Sequence, residues 1–142
     1  MDLAELCEEA LFRNSVPQNI DASCNVEKEA KKLITDPAML QRILTNLVNN
    51  AVQAMPEGGK LDIYAFQEAD NVVITVQDTG AGIPEAIKPK LFTPLFTTKS
   101  KGQGFGLVVI KRMTVALGGN VSFVSEMGEG TKFIIRLPSA KS

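Results

Sequence analysis

Asp78-Thr79-Gly80-Ala81-Gly82-Ile83-Pro84 and, further on, Gly102-Gln103-Gly104-Phe105-Gly106-Leu107 are the two stretches that decide the fold. One aspartate and five glycines fall at two loop-like sites joined by a segment that carries Leu91-Phe92-Thr93-Pro94-Leu95-Phe96-Thr97-Thr98-Lys99. Glycine is required where the backbone takes a positive φ or a ligand approaches it closely. Either cluster alone reads as a tight surface turn. Two flanking one short segment read as the wall of a pocket and a cradle for phosphate.

The chemistry of each cluster sharpens this. Asp78 closes an alternating segment, and an ionised carboxylate accepts hydrogen bonds but cannot donate them. It suits an exocyclic amine such as adenine N6 and rejects a keto oxygen, with roughly 1.5–3 kcal/mol for a hydrogen bond to a charged group. The alternative is an Asx-turn that ends a strand. The second cluster precedes a predicted helix, whose first backbone N–H groups bind anions. Its spacing is G-x-G-x-G. It lacks both the G-x-x-x-x-G-K-[ST] run of a P-loop and the strand-borne G-x-G-x-x-G of a Rossmann fold, so both are disfavoured.

Outward from these clusters, Asp36-Pro37 predicts a helix start, with Asp36 as N-cap and Pro37 in the first turn. That helix runs to about Met55 and stops at Pro56-Glu57-Gly58-Gly59. At 100° per residue, Arg42, Asn46, Asn49, Asn50 and Gln53 share one stripe, while Leu40, Ile43, Leu44, Leu47, Ala51 and Ala54 lie opposite. A plain solvent face would carry Lys and Glu. Uncharged amides coordinate Mg²⁺ and phosphate oxygens without adding negative charge beside a polyphosphate, which makes Asn46 and Asn50 candidates.

Lys60–Phe66 and Asn71–Gln77 alternate and predict an antiparallel pair around Gln67-Glu68-Ala69-Asp70. A first helix is predicted over residues 2–13 from Leu3, Leu6, Cys7, Ala10 and Leu11. Short strands are expected near Val16–Ile20 and Lys31–Ile34. A further helix is expected from Phe105 to Leu117, ended by Gly118-Gly119, and two last strands at Asn120–Ser125 and Thr131–Leu137. Strands in hairpins with helices between them imply an α+β sandwich with helices on one face of a mixed, mostly antiparallel sheet.

The chain has 142 residues, 44% hydrophobic and 22% charged, with a formal net charge of −1. That is one globular domain able to bury a core without staples. No polybasic block points to nucleic acid or a membrane surface. Cys7 and Cys24 fit no metal spacing and make no disulfide framework, so idle thiols in a reducing compartment are expected. No signal peptide or membrane-spanning run is visible, which leads to the expectation of a cytoplasmic domain, whether or not the full-length protein is membrane-anchored. There is no histidine, which excludes a Ser-His-Asp or Cys-His mechanism within the chain.

These stretches together resemble a known family. Asn46-Leu47-Val48-Asn49-Asn50-Ala51 resembles its N box, Asp78–Pro84 its G1 box, Phe92–Lys99 its F box, Gly102–Leu107 its G2 box, and Gly130-Thr131 its last glycine box. The set is similar to the catalytic ATP-binding domain of two-component sensor histidine kinases, in the superfamily shared with gyrase, the ninety-kilodalton heat-shock chaperones and the MutL-type repair proteins. It covers residues 36–138 strongly and the first 35 loosely.

The resemblance implies a Bergerat-type two-layer sandwich and an ATP site with Mg²⁺. Asp78 would bind adenine N6, directly and through a water shared with Thr131, with Gly80, Gly82 and Ile83 lining the pocket. Asn50 would coordinate the metal and Asn46 would lie near the phosphates. Residues 84–103 would form a lid, with Gly102, Gln103, Gly104, Phe105, Gly106 and Leu107 at the phosphates and Lys99 or Lys101 reaching them. No residue is assigned a certain catalytic role; Asn46 and Lys99 are candidates for positioning phosphate.

Two departures bear on chemistry. Many family members carry lysine three residues after the metal asparagine, where this chain has Gln53. The superfamily's ATPases and serine kinases have a glutamate four residues before that asparagine, where this chain has Asn46. An amide is no base, and losing a general base costs roughly 10²–10⁴-fold. Transfer to histidine is favoured, because neutral imidazole is already nucleophilic. The alternatives are a superfamily ATPase or serine kinase, and a non-catalytic module whose Phe92 and Phe96 serve a partner. The resemblance places the acceptor histidine on a separate two-helix dimerisation domain and a response regulator downstream. It leads to the expectation of a single, monomeric catalytic domain over residues 1–142 that lacks the dimerisation domain.

Overall fold

The computed structural model describes residues 3–13, 16–30, 35–90 and 103–138. Helix α1 (Leu3–Arg13) is followed by strand β1 (Ile20–Val26), helix α2 (Pro37–Gln53), strands β2 (Gly59–Glu68) and β3 (Asn71–Asp78), helix α3 (Gln103–Ala116), and strands β4 (Asn120–Glu126) and β5 (Gly130–Pro138). The five strands form one sheet in the order β1-β2-β3-β5-β4. Among the described residues only β1 and β2 run parallel; the other neighbours are antiparallel. The mixed, mostly antiparallel sheet and three helices are the expected α+β sandwich.

Helix α2 is the spine. The Asp36 side chain accepts hydrogen bonds from Ala38 N at 3.0 Å and Met39 N at 3.1 Å, satisfying two of the amides a helix start leaves open. Leu40, Ile43, Leu44, Leu47, Val48 and Ala51 are buried at helical spacing. They pack against α1, α3 and the inward residues Leu61, Ile63 and Ala65 of β2 and Val72, Ile74 and Val76 of β3 in one continuous core. Burying a Leu or Ile side chain is worth about 1.5–3 kcal/mol, so this stripe fixes the sheet under the helices.

The sequence expectations shift at three places. The strand expected near Val16–Ile20 begins at Ile20 and runs to Val26, while Ile20 N closes a turn onto Pro17 O at 3.0 Å. The inward set there is Ile20, Ala22, Cys24 and Val26, alternating with exposed Asp21, Ser23 and Asn25. Small and polar residues blur that alternation. Pairing in register with β2, from Ile20 opposite Gly59 to Val26 opposite Ala65, holds the strand instead. Because β1 is parallel to β2, it is no hairpin partner but the start of a β1-α2-β2 crossover. Lys31–Ile34 lies outside the described residues.

The β2–β3 turn shortens to Ala69-Asp70, with Ala69 at φ 53°, so Gln67 and Glu68 extend the strand. Helix α3 starts at Gln103 rather than Phe105, which places Gly104 within its first turn.

Where α1 lies on β1, the buried Cys7 meets the half-buried Cys24. Their mutual hydrogen bond, with burial second, pushes the Cys7 thiol far up; the same hydrogen bond draws the Cys24 thiol down against the opposing effect of burial.

Candidate nucleotide-binding site

β3 carries its inward face through Val72, Ile74 and Val76 to Asp78, so the strand's apolar alternation ends in a carboxylate that is 4% exposed. Register places Asp78 opposite Thr131 of β5. One carboxylate oxygen, Oδ1, accepts from Gly80 N at 2.8 Å and from Thr131 N at 3.2 Å. The Asx-turn is present, and the carboxylate that makes it is buried. The turn is what fixes the carboxylate's orientation.

The glycine loop after Asp78 is held on both sides. Thr79 Oγ1 accepts from Lys60 N at 3.0 Å and lies 3.6 Å from Met55 Sδ, tying the loop to β2 and the end of α2. Gly80 lies so close to the Ala54 carbonyl that a Cβ would strike it. Gly82 has φ +83°, and a Cβ there would collide with the Glu126 carbonyl. Gly128 N donates to Ala81 O at 2.8 Å, and Ile83 N donates to Ser125 Oγ at 2.8 Å. Helix α2 and the β4–β5 hairpin thus grip the loop. This explains why glycine stands at positions 80 and 82, since any side chain would push one wall away.

Asn50 lies one turn before Ala54, on the helix end that the loop touches. Its Nδ2 is sealed from solvent and has no hydrogen-bond partner among the described residues. An unsatisfied buried donor costs about 1–3 kcal/mol. The polar stripe of α2 is not uniform. Asn46 and Asn50 are half-buried, whereas Arg42 and Gln53 are exposed and Gln53 Nε2 bonds Asn49 Oδ1 at 3.4 Å. Asn49 is half-buried as well, so the fold sets the three asparagines apart from exposed Arg42 and Gln53.

α3 packs against α2, and Leu107 is buried. Gln103, Gly104, Phe105 and Gly106 form the first turn of α3, where backbone amides lack helical acceptors. Lys99, Lys101, Gly102 and the Phe92–Thr98 segment lie outside the described residues.

Two residues at this site carry no motif. Ser125 is 4% exposed, and Lys88 Nζ donates to its carbonyl at 2.7 Å while pairing with Glu85 at 2.8 Å. A hydroxyl at the inward end of the Val121-Phe123-Ser125 alternation is the signal that marks the first. Nothing in the sequence marks the second. Among the described residues no three His, Cys, Asp or Glu side chains cluster to hold a metal.

Comparison with known proteins follows the same lines. The family described as histidine kinase-, DNA gyrase B-, and HSP90-like ATPase matches residues 35–141. Sporulation kinase D of Bacillus subtilis is 36% identical over 125 residues, which is 83% of this chain and 25% of that protein. The signal transduction histidine-protein kinase AtoS of Escherichia coli is 33% identical over 142 residues, 97% of this chain and 23% of that protein. The chain therefore spans about a quarter of the length of these relatives. The solved catalytic domain of histidine kinase ThkA, in a nucleotide-free form, superposes with a TM-score of 0.86 at 31% identity, covering 98% of this chain and 93% of that one. Full-length ShkA in complex with AMPPNP gives 0.86 at 26% identity, covering 100% of this chain and 31% of that one.

Proposed function

The chain belongs to the histidine kinase-, DNA gyrase B- and HSP90-like ATPase family, and on that premise we propose that it binds Mg-ATP and donates the γ-phosphoryl group to a histidine on a separate dimerisation domain. The observation that carries this is Asp78, a buried carboxylate locked by Gly80 N and Thr131 N at the mouth of a glycine loop gripped on two sides. It reads the exocyclic amine of adenine. The nucleotide held by ShkA, a relative of the same fold, supports the choice of ligand.

The orphaned Asn50 amide supports the metal and phosphate end of the site. Mg²⁺ keeps several waters and takes one or two protein ligands beside substrate phosphates, so a single amide without an acidic cage fits it. The ion would neutralise charge on the transferring group. Asn50 would hold it through Oδ1 and direct Nδ2 toward phosphate oxygen. Asn46, one turn earlier, would orient the phosphates, and the first turn of α3 would offer backbone donors through Gly104 and Gly106. Residues 84–103 would close as a lid, with Gly102, Lys99 and Lys101 reaching the phosphates.

Asn46 also separates kinase from ATPase. Phosphoryl transfer needs positioning and charge stabilisation more than covalent help, and a neutral imidazole brings its own lone pair. A water or serine hydroxyl would need a base, which Asn46 is not. The chain has no histidine, so the acceptor lies on another domain, of the same protein or in trans, with a response regulator downstream and the domain on the cytoplasmic side.

The test is calorimetric titration with a non-hydrolysable ATP analogue, with and without Mg²⁺, on wild type and Asp78→Asn. Mg²⁺-dependent binding weakened by about 10–100-fold in the variant is expected, the size of a charged hydrogen bond. A folded wild type that binds no nucleotide would bring forward the non-catalytic partner module instead.

A further inference from the structure

Cys7 and Cys24 are the only cysteines of the chain, and the fold brings them together although they stand on different elements. Leu3, Cys7 and Ala10 recur at helical spacing on one face of α1, and all three are fully buried. Cys24 belongs to the inward alternation of β1, with Ile20, Ala22 and Val26, and packs on the same core. α1 lies on β1, so the two side chains meet between helix and strand and share a hydrogen bond. The nucleotide site described above uses neither.

The two thiols differ in access. β1 is an outer strand of the sheet, and Cys24 is half-buried there between exposed Ser23 and Asn25. Cys7 is closed off in the core. The hydrogen bond from Cys7 draws the Cys24 thiol down, against burial and the charge of Glu8. Thiolate is the form that attacks a peroxide, and a second thiol already in contact can resolve the product.

We propose that Cys24 and Cys7 form a dithiol site oxidised by a small peroxide, with Cys24 attacking and Cys7 resolving, and that the resulting disulfide staples α1 to β1. The Cys24 sulfur attacks one peroxide oxygen and the O–O bond breaks. The other oxygen leaves as hydroxide and takes up the thiol proton as water, and Cys24 becomes a sulfenic acid. The Cys7 sulfur then attacks the Cys24 sulfur. The S–O bond breaks, and hydroxide leaves with the Cys7 proton as a second water. Two electrons pass from the pair of thiols to the peroxide. The new bond closes a loop around the α1–β1 connection and so restricts the unfolded chain. This modification site is independent of the nucleotide-binding reading.

The test treats the native chain with hydrogen peroxide and follows free thiols, intact mass and thermal midpoint. Wild type loses two hydrogens in mass without forming dimers, and peptide mapping joins residues 7 and 24. The midpoint rises by about 5–10 °C and returns on reduction. Cys24→Ser slows thiol loss by about tenfold, because the remaining thiol is buried. Cys7→Ser still reacts, but yields a sulfenic acid at Cys24 that dimedone traps, in place of the disulfide. A native wild type that keeps both thiols, under peroxide that oxidises them in the unfolded chain, overturns the proposal. So does a disulfide that forms only between chains. Both of these outcomes are read on wild type, whatever the stability of the serine variants.

Discussion

Asn50 carries two opposed demands on one side chain. Its Nδ2 is buried and unpartnered in the free chain, which costs stability, while its position on α2 suits phosphate and metal. Replacing a buried unsatisfied group with an apolar one is often neutral or better. Asn50→Ala therefore leaves the thermal midpoint unchanged or raised, yet abolishes the Mg²⁺-dependent part of nucleotide binding. A midpoint several degrees lower would show that the amide serves the fold. The two cysteines give a second expectation. Cys24 is half-buried with its thiol drawn down by Cys7, and Cys7 is buried with its thiol pushed up. Thiolate is the reactive form, so an alkylating reagent modifies Cys24 first in native protein and Cys7 only on unfolding. Equal native rates would contradict the geometry. At this scale the sequence was legible where the fold itself restricts the residue type: an acceptor at Asp78 and no side chain at Gly82. It was silent on Lys88, because a lysine in a loop carries no signal until the fold brings its Nζ to the Ser125 carbonyl.

Helix α2 was readable at both ends because caps are local chemistry: Asp36 bonds amides two and three residues on, and Pro37 needs no amide of its own. Asp36→Ala should lower stability by about 1 kcal/mol, and Asp36→Asn by much less, in chemical denaturation. Equal losses would mean charge, not capping, is what matters there. The glycine loop is tighter. Gly82→Ala meets both a positive φ and the Glu126 carbonyl, so it costs on the order of 1–3 kcal/mol and displaces the β4–β5 hairpin. Nucleotide affinity falls with it. A variant with wild-type stability and affinity would contradict the packing described. Strand β1 was misplaced for a physical reason. Its inward residues include Ala22 and Cys24, and its stability comes from parallel pairing to β2 through residues distant in sequence, which no local window contains. The four-residue turn expected between β2 and β3 was misjudged in the same way, since Gln67 and Glu68 join the strand only because Val72 and Asn71 pair with them.

Across the described residues, one sheet and three helices enclose a single core, and the candidate residues Asp78, Asn50, Leu107 and Thr131 lie on β3, α2, α3 and β5. Each arrives from a separate part of the sequence. That is why five short motifs in order specified the fold better than any one of them. Among the described residues no helix is long and apolar enough to cross a membrane. The activity proposed for this domain is transfer of a phosphoryl group to a histidine it does not itself contain. The most direct measurement incubates it with γ-labelled ATP, Mg²⁺ and a two-helix, histidine-bearing dimerisation domain, and follows acid-labile, base-stable phosphate on that partner. The account predicts label on the partner's histidine, lost with Asp78→Asn or Asn50→Ala, and negligible ATP turnover by the domain alone. Steady turnover by the domain alone, or bound ATP with no phosphohistidine formed, would contradict it.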